Sequence, residues 1–181
     1  MKKTACLLCL AVAAASLPAV AETVTPPAVV ARVDVPRYMG VWHEISRLPM
    51  KFQNACAGEV TANYTLNADG SVNVLNRCRK NNGEMMQAKG LARAVDKTGS
   101  KLRVTFLPEG LRWLPVGRAP YWILRLDENY QTALVGTPDR RYLWLLSRSA
   151  KIDEALYQSY LETAREQGYD LKELIINPEA F

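Results

Sequence analysis

Histidine is almost missing from this chain of 181 residues: His43 is the single one. A hydrolytic site built on a nucleophile and a base, or a metal centre with imidazole ligands, needs more than that. His43 directly follows Trp42, so in a strand the two side chains leave on opposite faces and His43 points outward. That placement disfavours a buried base and an axial ligand for haem, and Ser46 and Ser147 have no assignable partner. Cysteine is scarce as well, with Cys6, Cys9, Cys56 and Cys78 only, and no Cys/His cluster has metal-ligand spacing. Charge of one sign is not concentrated: 23 basic against 18 acidic residues leave a net +5, which gives no case for nucleic acid. Apart from one run near the start, no stretch approaches the roughly 20 apolar residues of a membrane-spanning helix. The reading is a chain with no enzyme activity, no cofactor and no metal.

The exceptional run is itself informative. Lys2 and Lys3 precede apolar residues from Ala5 to Ala15, and Ala19, Val20 and Ala21 precede Glu22. That is the charged, apolar and small-residue order of a secretory signal peptide. Residues 1–21 are therefore expected to be removed, taking two lysines with them and lowering the net charge to +3. A lipoprotein signal would put a cysteine directly after the run, whereas Cys6 and Cys9 lie inside it, so release is expected rather than a lipid anchor. Cys56 and Cys78 then remain in an oxidising compartment and are expected to pair. The bridge would close a loop worth roughly 3 kcal/mol in the chain-entropy model. The alternative is two separate buried thiols.

The remaining length suits one domain. Residues 22–36 carry prolines and no helical period, and read as an extended arm. From Tyr38 onward, short β-rich runs alternate with turns: a first strand over 41–47, then VTANYTL (60–66), NADG, SVNVLNR (71–77), EMMQAKGLARAV (84–95), KLRVTFL (101–107), YWILRLD (121–127), YQTALVGT (130–137) and RYLWLLSR (141–148). Eight strands at such spacing suit a sandwich or a closed up-and-down barrel. The tail over 149–170 reads as a helix, with Ser149 as cap, Leu156, Tyr160 and Ala164 on one stripe and Gly168 as stop. It is expected to pack on the outside of the sheet, and LKELII (171–176) to add a last strand. Val72, Val74 and Asn76 share one face, as do Leu102, Val104 and Phe106, and Trp144, Leu146 and Arg148. Ala88, Gly90 and Ala92 also share a face, and a barrel lined partly by such small residues is not filled to its axis.

Three separated segments, YMGVWHEI (38–45), LDENY (126–130) and YLWLLSR (142–148), resemble the three signature segments of lipocalins, nearest to the bacterial lipocalin and apolipoprotein D branch. ANYTL (62–66) and APYWIL (119–124) extend the resemblance over most of the chain. It implies an all-β fold: an eight-stranded antiparallel up-and-down β-barrel over residues 37–181 with one C-terminal helix outside. It implies that Trp42 closes one end, that Arg148 stacks on its ring, and that Gly40, Asp127 and Tyr130 belong to the same closed end. It also implies a pocket lined by Tyr64, Asn76, Phe106, Tyr121 and Trp144, the alternative being a barrel packed shut with side chains. The expected partner is a small hydrophobic ligand, a fatty acid or lysophospholipid, in the periplasm and associated with the outer membrane. The competing function is a structural or interaction protein with a vestigial pocket. By the same analogy the loop over 108–120 lies at the open end, where Leu111, Trp113 and Leu114 suit a membrane surface; a lid or a homodimer contact is the other use for them.

Overall fold

The computed structural model describes residues 25–181; the expected signal peptide and its cleavage point lie outside the described residues. The chain forms α1 (Val35–Tyr38), β1 (Gly40–Arg47), β2 (Cys56–Leu66), β3 (Val72–Lys80), β4 (Met85–Ala94), β5 (Lys101–Thr105), β6 (Arg118–Leu126), β7 (Thr132–Gly136), β8 (Leu143–Ser147), α2 (Glu154–Glu166) and β9 (Ile175–Ile176). Strands β1 to β8 are paired antiparallel, each with its neighbour in sequence, and β8 and β2 both pair with β1, which closes the sheet into a barrel. β9 is the remnant of the last strand expected over 171–176: two residues that pair with Ser46 and Arg47.

Alternation divides the apolar residues between two cores. Trp42, Ala62, Tyr64, Val72, Val74, Ala92, Ile123, Ala133, Val135 and Leu146 face the barrel interior. Ile45, Leu134, Leu143 and Leu145 face outward, where Tyr157, Tyr160, Leu161 and Ala164 of α2 cover them. β7 is buried on both faces, which is why its sequence is apolar at nearly every position.

The helix differs in detail from its sequence reading. Its cap is Asp153, whose carboxylate accepts a hydrogen bond from the Leu156 backbone N–H at 2.9 Å. Ser149 is spent in an earlier turn, where its Oγ accepts from the Lys151 N–H. An aspartate four residues later also complements the positive end of the helix dipole, so it takes the cap. The stripe packed on the barrel is Tyr157, Tyr160, Leu161 and Ala164, and Leu156 is exposed at its edge. Gly168 follows the helix at φ +83°, the left-handed conformation that ends it. Two tyrosine hydroxyls pin α2 and its exit to the barrel: Tyr160 donates to the Thr132 carbonyl and Tyr169 to that of Thr137.

Residues 25–34 lie in neither helix nor strand, and the chain then makes the single turn of α1, whose first two residues fall in the stretch read as extended over 22–36. Asp34 accepts from the Arg37 N–H and Pro36 sits in the first turn, which together stabilise that turn. Backbone hydrogen bonds from Val30 to Ile123 and from Val33 to Thr98 tie the arm down. Strand direction then fixes two unlike ends. One gathers α1 and the turns 67–71, 95–100 and 127–131; the other gathers the loops 48–55, 81–84, 106–117 and 137–142.

Candidate functional site: a one-ended cavity

The first of these ends is shut by a tryptophan. Trp42 is fully buried, and its indole N–H donates to the Tyr38 carbonyl at 2.9 Å. The Arg148 guanidinium lies over its ring at 3.9 Å and donates to the carbonyls of Arg37, Met39, Val41 and Tyr130. One cation thus straps four backbone acceptors from three segments while stacking on the indole. Gly40 has φ +98°, and a Cβ there would press on Arg148 Nη1, so this position requires glycine on two grounds. Asp127 accepts from the N–H groups of Asn129, Gln131 and Thr132 and organises the 127–131 turn. Tyr130, at φ +60°, accepts from the Asp34 N–H through its hydroxyl and carries Arg37 over its ring.

Above this floor the interior is open. A cavity of about 690 Å³ runs toward the second end, a size that accommodates a small organic ligand. Tyr64, Asn76, Phe106, Tyr121 and Trp144 all lie on its wall, with Ala62, Ala88 and Ala92 supplying the small residues that leave the axis empty. The reading of a barrel packed shut does not describe this interior. Phe106 departs from its expected place: β5 stops at Thr105, and the Phe106 ring, half-exposed, folds over Gly90, where a Cβ would clash with it. Asn76 Oδ1 is buried without a hydrogen-bond partner among the described residues. Cys56 and Cys78 are disulfide-bonded, with Cα atoms 5.5 Å apart, and lie on the wall near the open end, where they join the first residue of β2 to β3. His43 is half-buried and is not part of the cavity wall.

Two polar constellations inside the barrel are not legible in the strand pattern, although Tyr64 and Tyr121 of the second are expected wall residues. The first is a buried ion pair. Glu44 accepts from Arg47 Nη1 at 2.8 Å and from Gln53 Nε2 at 2.8 Å, and Gln53 Oε1 in turn accepts from the Trp144 indole. Strict alternation would send Arg47 outward. A register irregularity between Glu44 and Ser46 shifts the phase by one, so that Arg47 pairs with inward-facing Trp144 and meets Glu44 inside. Burial raises the Glu44 carboxyl above its ordinary value, a shift that Arg47 and Gln53 only partly oppose.

The second group is a chain of phenols beside the floor. Tyr121 Oη lies 2.9 Å from Tyr38 Oη and 3.1 Å from Tyr64 Oη. Desolvation pushes Tyr64 up to about 12 and Tyr38 and Tyr121 well above the ordinary tyrosine value. Tyr157, Tyr160 and Tyr169 on the α2 side are also raised by burial. The unfolded chain releases these protons near pH 10 while the folded chain keeps them, so stability falls as pH rises from about 10 toward 12. The near-ultraviolet phenolate absorbance of the native protein should accordingly stay well below that of eight tyrosines at about pH 11, and jump when the barrel unfolds. A smooth titration of all eight at the ordinary value would contradict this burial.

The profile of the lipocalin-like domain family matches residues 33–179. The chain is 41% identical over 155 residues to temperature-induced lipocalin-1 of Arabidopsis thaliana, covering 84% of this chain and 82% of that protein. It is 35% identical over 170 residues to the outer membrane lipoprotein Blc of Escherichia coli K12, covering 91% and 92%. Among solved structures, insecticyanin from Manduca sexta superposes with a TM-score of 0.64 at 21% identity, over 89% of this chain and 87% of that one, a likeness of fold. With a closed eight-stranded barrel, a tryptophan floor under an arginine and a family match across almost the whole described chain, this protein belongs to the lipocalins.

Proposed function

We infer that the barrel holds one long-chain amphiphile, a fatty acid or lysophospholipid, with its tail in the cavity and its head at the open end, and that it stores or carries this ligand in the cell envelope. Lipocalins bind small hydrophobic ligands, and the observation that carries the narrower reading is the cavity wall. It is aliphatic and aromatic for most of its length, and its one ion pair is internally neutralised. Arg77 and Arg118 also lie on the wall, toward the open end, where they suit an anionic head group; the apolar remainder takes the tail, which supplies most of the affinity. The role is binding rather than catalysis. The likeness to Blc, an outer membrane lipoprotein, supports a place on the periplasmic face of the outer membrane, here after release of residues 1–21.

The open rim supports delivery at a lipid surface. Phe52 is 85% exposed, Trp113 74% and Val116 60%, and Leu111 and Met85 are about half-exposed, all on loops or strand ends around one mouth. Leu114 is half-buried and serves the loop rather than its outer face. Apolar side chains of this size, interleaved with Lys51, Arg112 and Arg118, partition to a membrane interface.

Titration with saturated fatty acids from about eight to about eighteen carbons tests the reading. Affinity should rise with length by up to about fourfold per methylene, the worth of roughly 0.8 kcal/mol before ordering losses. Trp144 fluorescence should respond, and Trp144→Ala should abolish that response and weaken binding by roughly tenfold or more. Affinity independent of chain length, or unchanged in Trp144→Ala and Tyr64→Ala, would place the ligand outside the barrel and favour the structural or interaction protein.

A further inference from the structure

The phenol chain at the closed end has one more O–H group than it has hydrogen bonds. Tyr38, Tyr121 and Tyr64 bring three O–H groups, and their oxygens make two contacts with one another and, among the described residues, none with any other acceptor. Each contact consumes a single proton. Whichever way the hydroxyls rotate, one O–H is left over, on Tyr38, Tyr64 or Tyr121. All three residues line the cavity at the end where α1 and Gly40 close it: Tyr38 sits on α1, Tyr64 pairs with Gly40, and Tyr38 packs on the Trp42 ring. Buried donors are almost always satisfied, and the empty side of this one is the cavity itself.

We propose that the closed end of the cavity is an acceptor-reading subsite, and that the ligand class it selects is a long-chain lipid carrying a neutral oxygen, a hydroxyl or ketone, at the end that enters first. This rests on the amphiphile reading above and makes it more specific: the tail is polar at its tip. The tip has to be neutral. A carboxylate pushed to this depth would lose its hydration among Val33, Val72, Val74 and Ile123, and the same desolvation that keeps the phenols protonated opposes an anion beside them. A plain hydrocarbon tip fits sterically and leaves the spare donor unmet, or leaves it to a trapped water.

The proton count makes an unusual prediction about variants. Replacing a terminal tyrosine, as in Tyr64→Phe, leaves two hydroxyls with one contact, and again one spare donor. Only Tyr38→Phe/Tyr64→Phe/Tyr121→Phe together removes it, with little change of shape. The experiment measures, by isothermal titration calorimetry, the dissociation constants of hexadecanoic acid and ω-hydroxyhexadecanoic acid for wild type, Tyr64→Phe and the triple variant. Thermal unfolding of each confirms that the barrel is intact.

The ratio of the two constants should shift against the hydroxylated ligand by about fivefold in the triple variant, the worth of one net hydrogen bond, and stay near the wild-type ratio in Tyr64→Phe. An unchanged ratio in a folded triple variant that still binds hexadecanoic acid would overturn the subsite while leaving the amphiphile reading in place. A ratio that shifts fully in Tyr64→Phe would overturn the shared-proton argument. Absence of binding of either acid to wild type would sink the amphiphile reading itself, and the subsite with it.

Discussion

Trp42→Ala is expected to lower the free energy of unfolding by about 3–5 kcal/mol, the range for truncating a large buried aromatic ring. Three consequences act together. The ring vacates a fully buried position at the floor. Arg148 loses the aromatic face it stacks on at 3.9 Å, an interaction worth up to about 2 kcal/mol where it is shielded from water. The Tyr38 carbonyl loses its indole donor, and Tyr38 loses the ring on which it packs. Urea denaturation should show a lower midpoint with little change in slope, because the surface exposed on unfolding is nearly the same. Trp42 is not on the cavity wall, so the dependence of binding on chain length should persist in a variant that still folds. A midpoint equal to that of wild type would show that the floor is not held by this stack. Arg148→Lys is the instructive companion: it keeps the charge but cannot reach four carbonyls at once with a planar fork.

What the sequence revealed and what it concealed follow from one property, the regularity of strand alternation. Where the period of two is unbroken, as in Val72, Val74 and Asn76 or in Trp144 and Leu146, the inward face could be read directly, and the wall of the cavity with it. Where the backbone slips, it could not. The pattern starts β2 at Val60 rather than Cys56, because two register shifts between Cys56 and Thr61 erase the alternation there. The pattern starts β6 at Tyr121, after the loop over 108–120, whereas the strand runs from Arg118 and includes Pro120. Phe106 reads as a strand residue and is instead the first residue beyond one, bent over a glycine. Tyr38 does not read as a wall residue, because it sits on a one-turn helix that carries no period of its own, and only the closure of the barrel brings it against Tyr64 and Tyr121. Exposed Phe52 lies in a loop whose approach to the mouth depends on the same closure.

The charged pair inside β1 is the clearest case of concealment. Alternation from Trp42 sends Glu44 inward, where a lone carboxylate is prohibitive, and sends Arg47 away from it; only the slip after Glu44 reconciles the two. The pair is nearly inaccessible, with 6% and 5% of the side chains exposed, and both Glu44 oxygens are occupied, by Arg47 and by Gln53. Breaking such a pair from one side is expected to be severe. Glu44→Leu strands the Arg47 guanidinium in the barrel wall and should cost about 3–5 kcal/mol. Removing both charges should cost far less, since desolvation offsets most of what the ions gain from each other: Glu44→Leu/Arg47→Met is expected to lie within about 2 kcal/mol of wild type.

Acid titration gives an independent check on the sign. The folded Glu44 carboxyl is raised above its ordinary value of 4.5, mainly by desolvation and despite Arg47. Between the unfolded and the folded value the native state holds a proton that the unfolded chain has released, so the contribution of this residue to stability declines as pH rises through that window. The stability of wild type minus that of Glu44→Gln, measured by urea denaturation, should therefore fall from about pH 4.5 upward and then level off. A difference that grows over the same range would mean that Arg47 outweighs burial. A Glu44→Leu/Arg47→Met variant as damaged as Glu44→Leu would mean that the pair holds the β1 slip in place rather than merely occupying it.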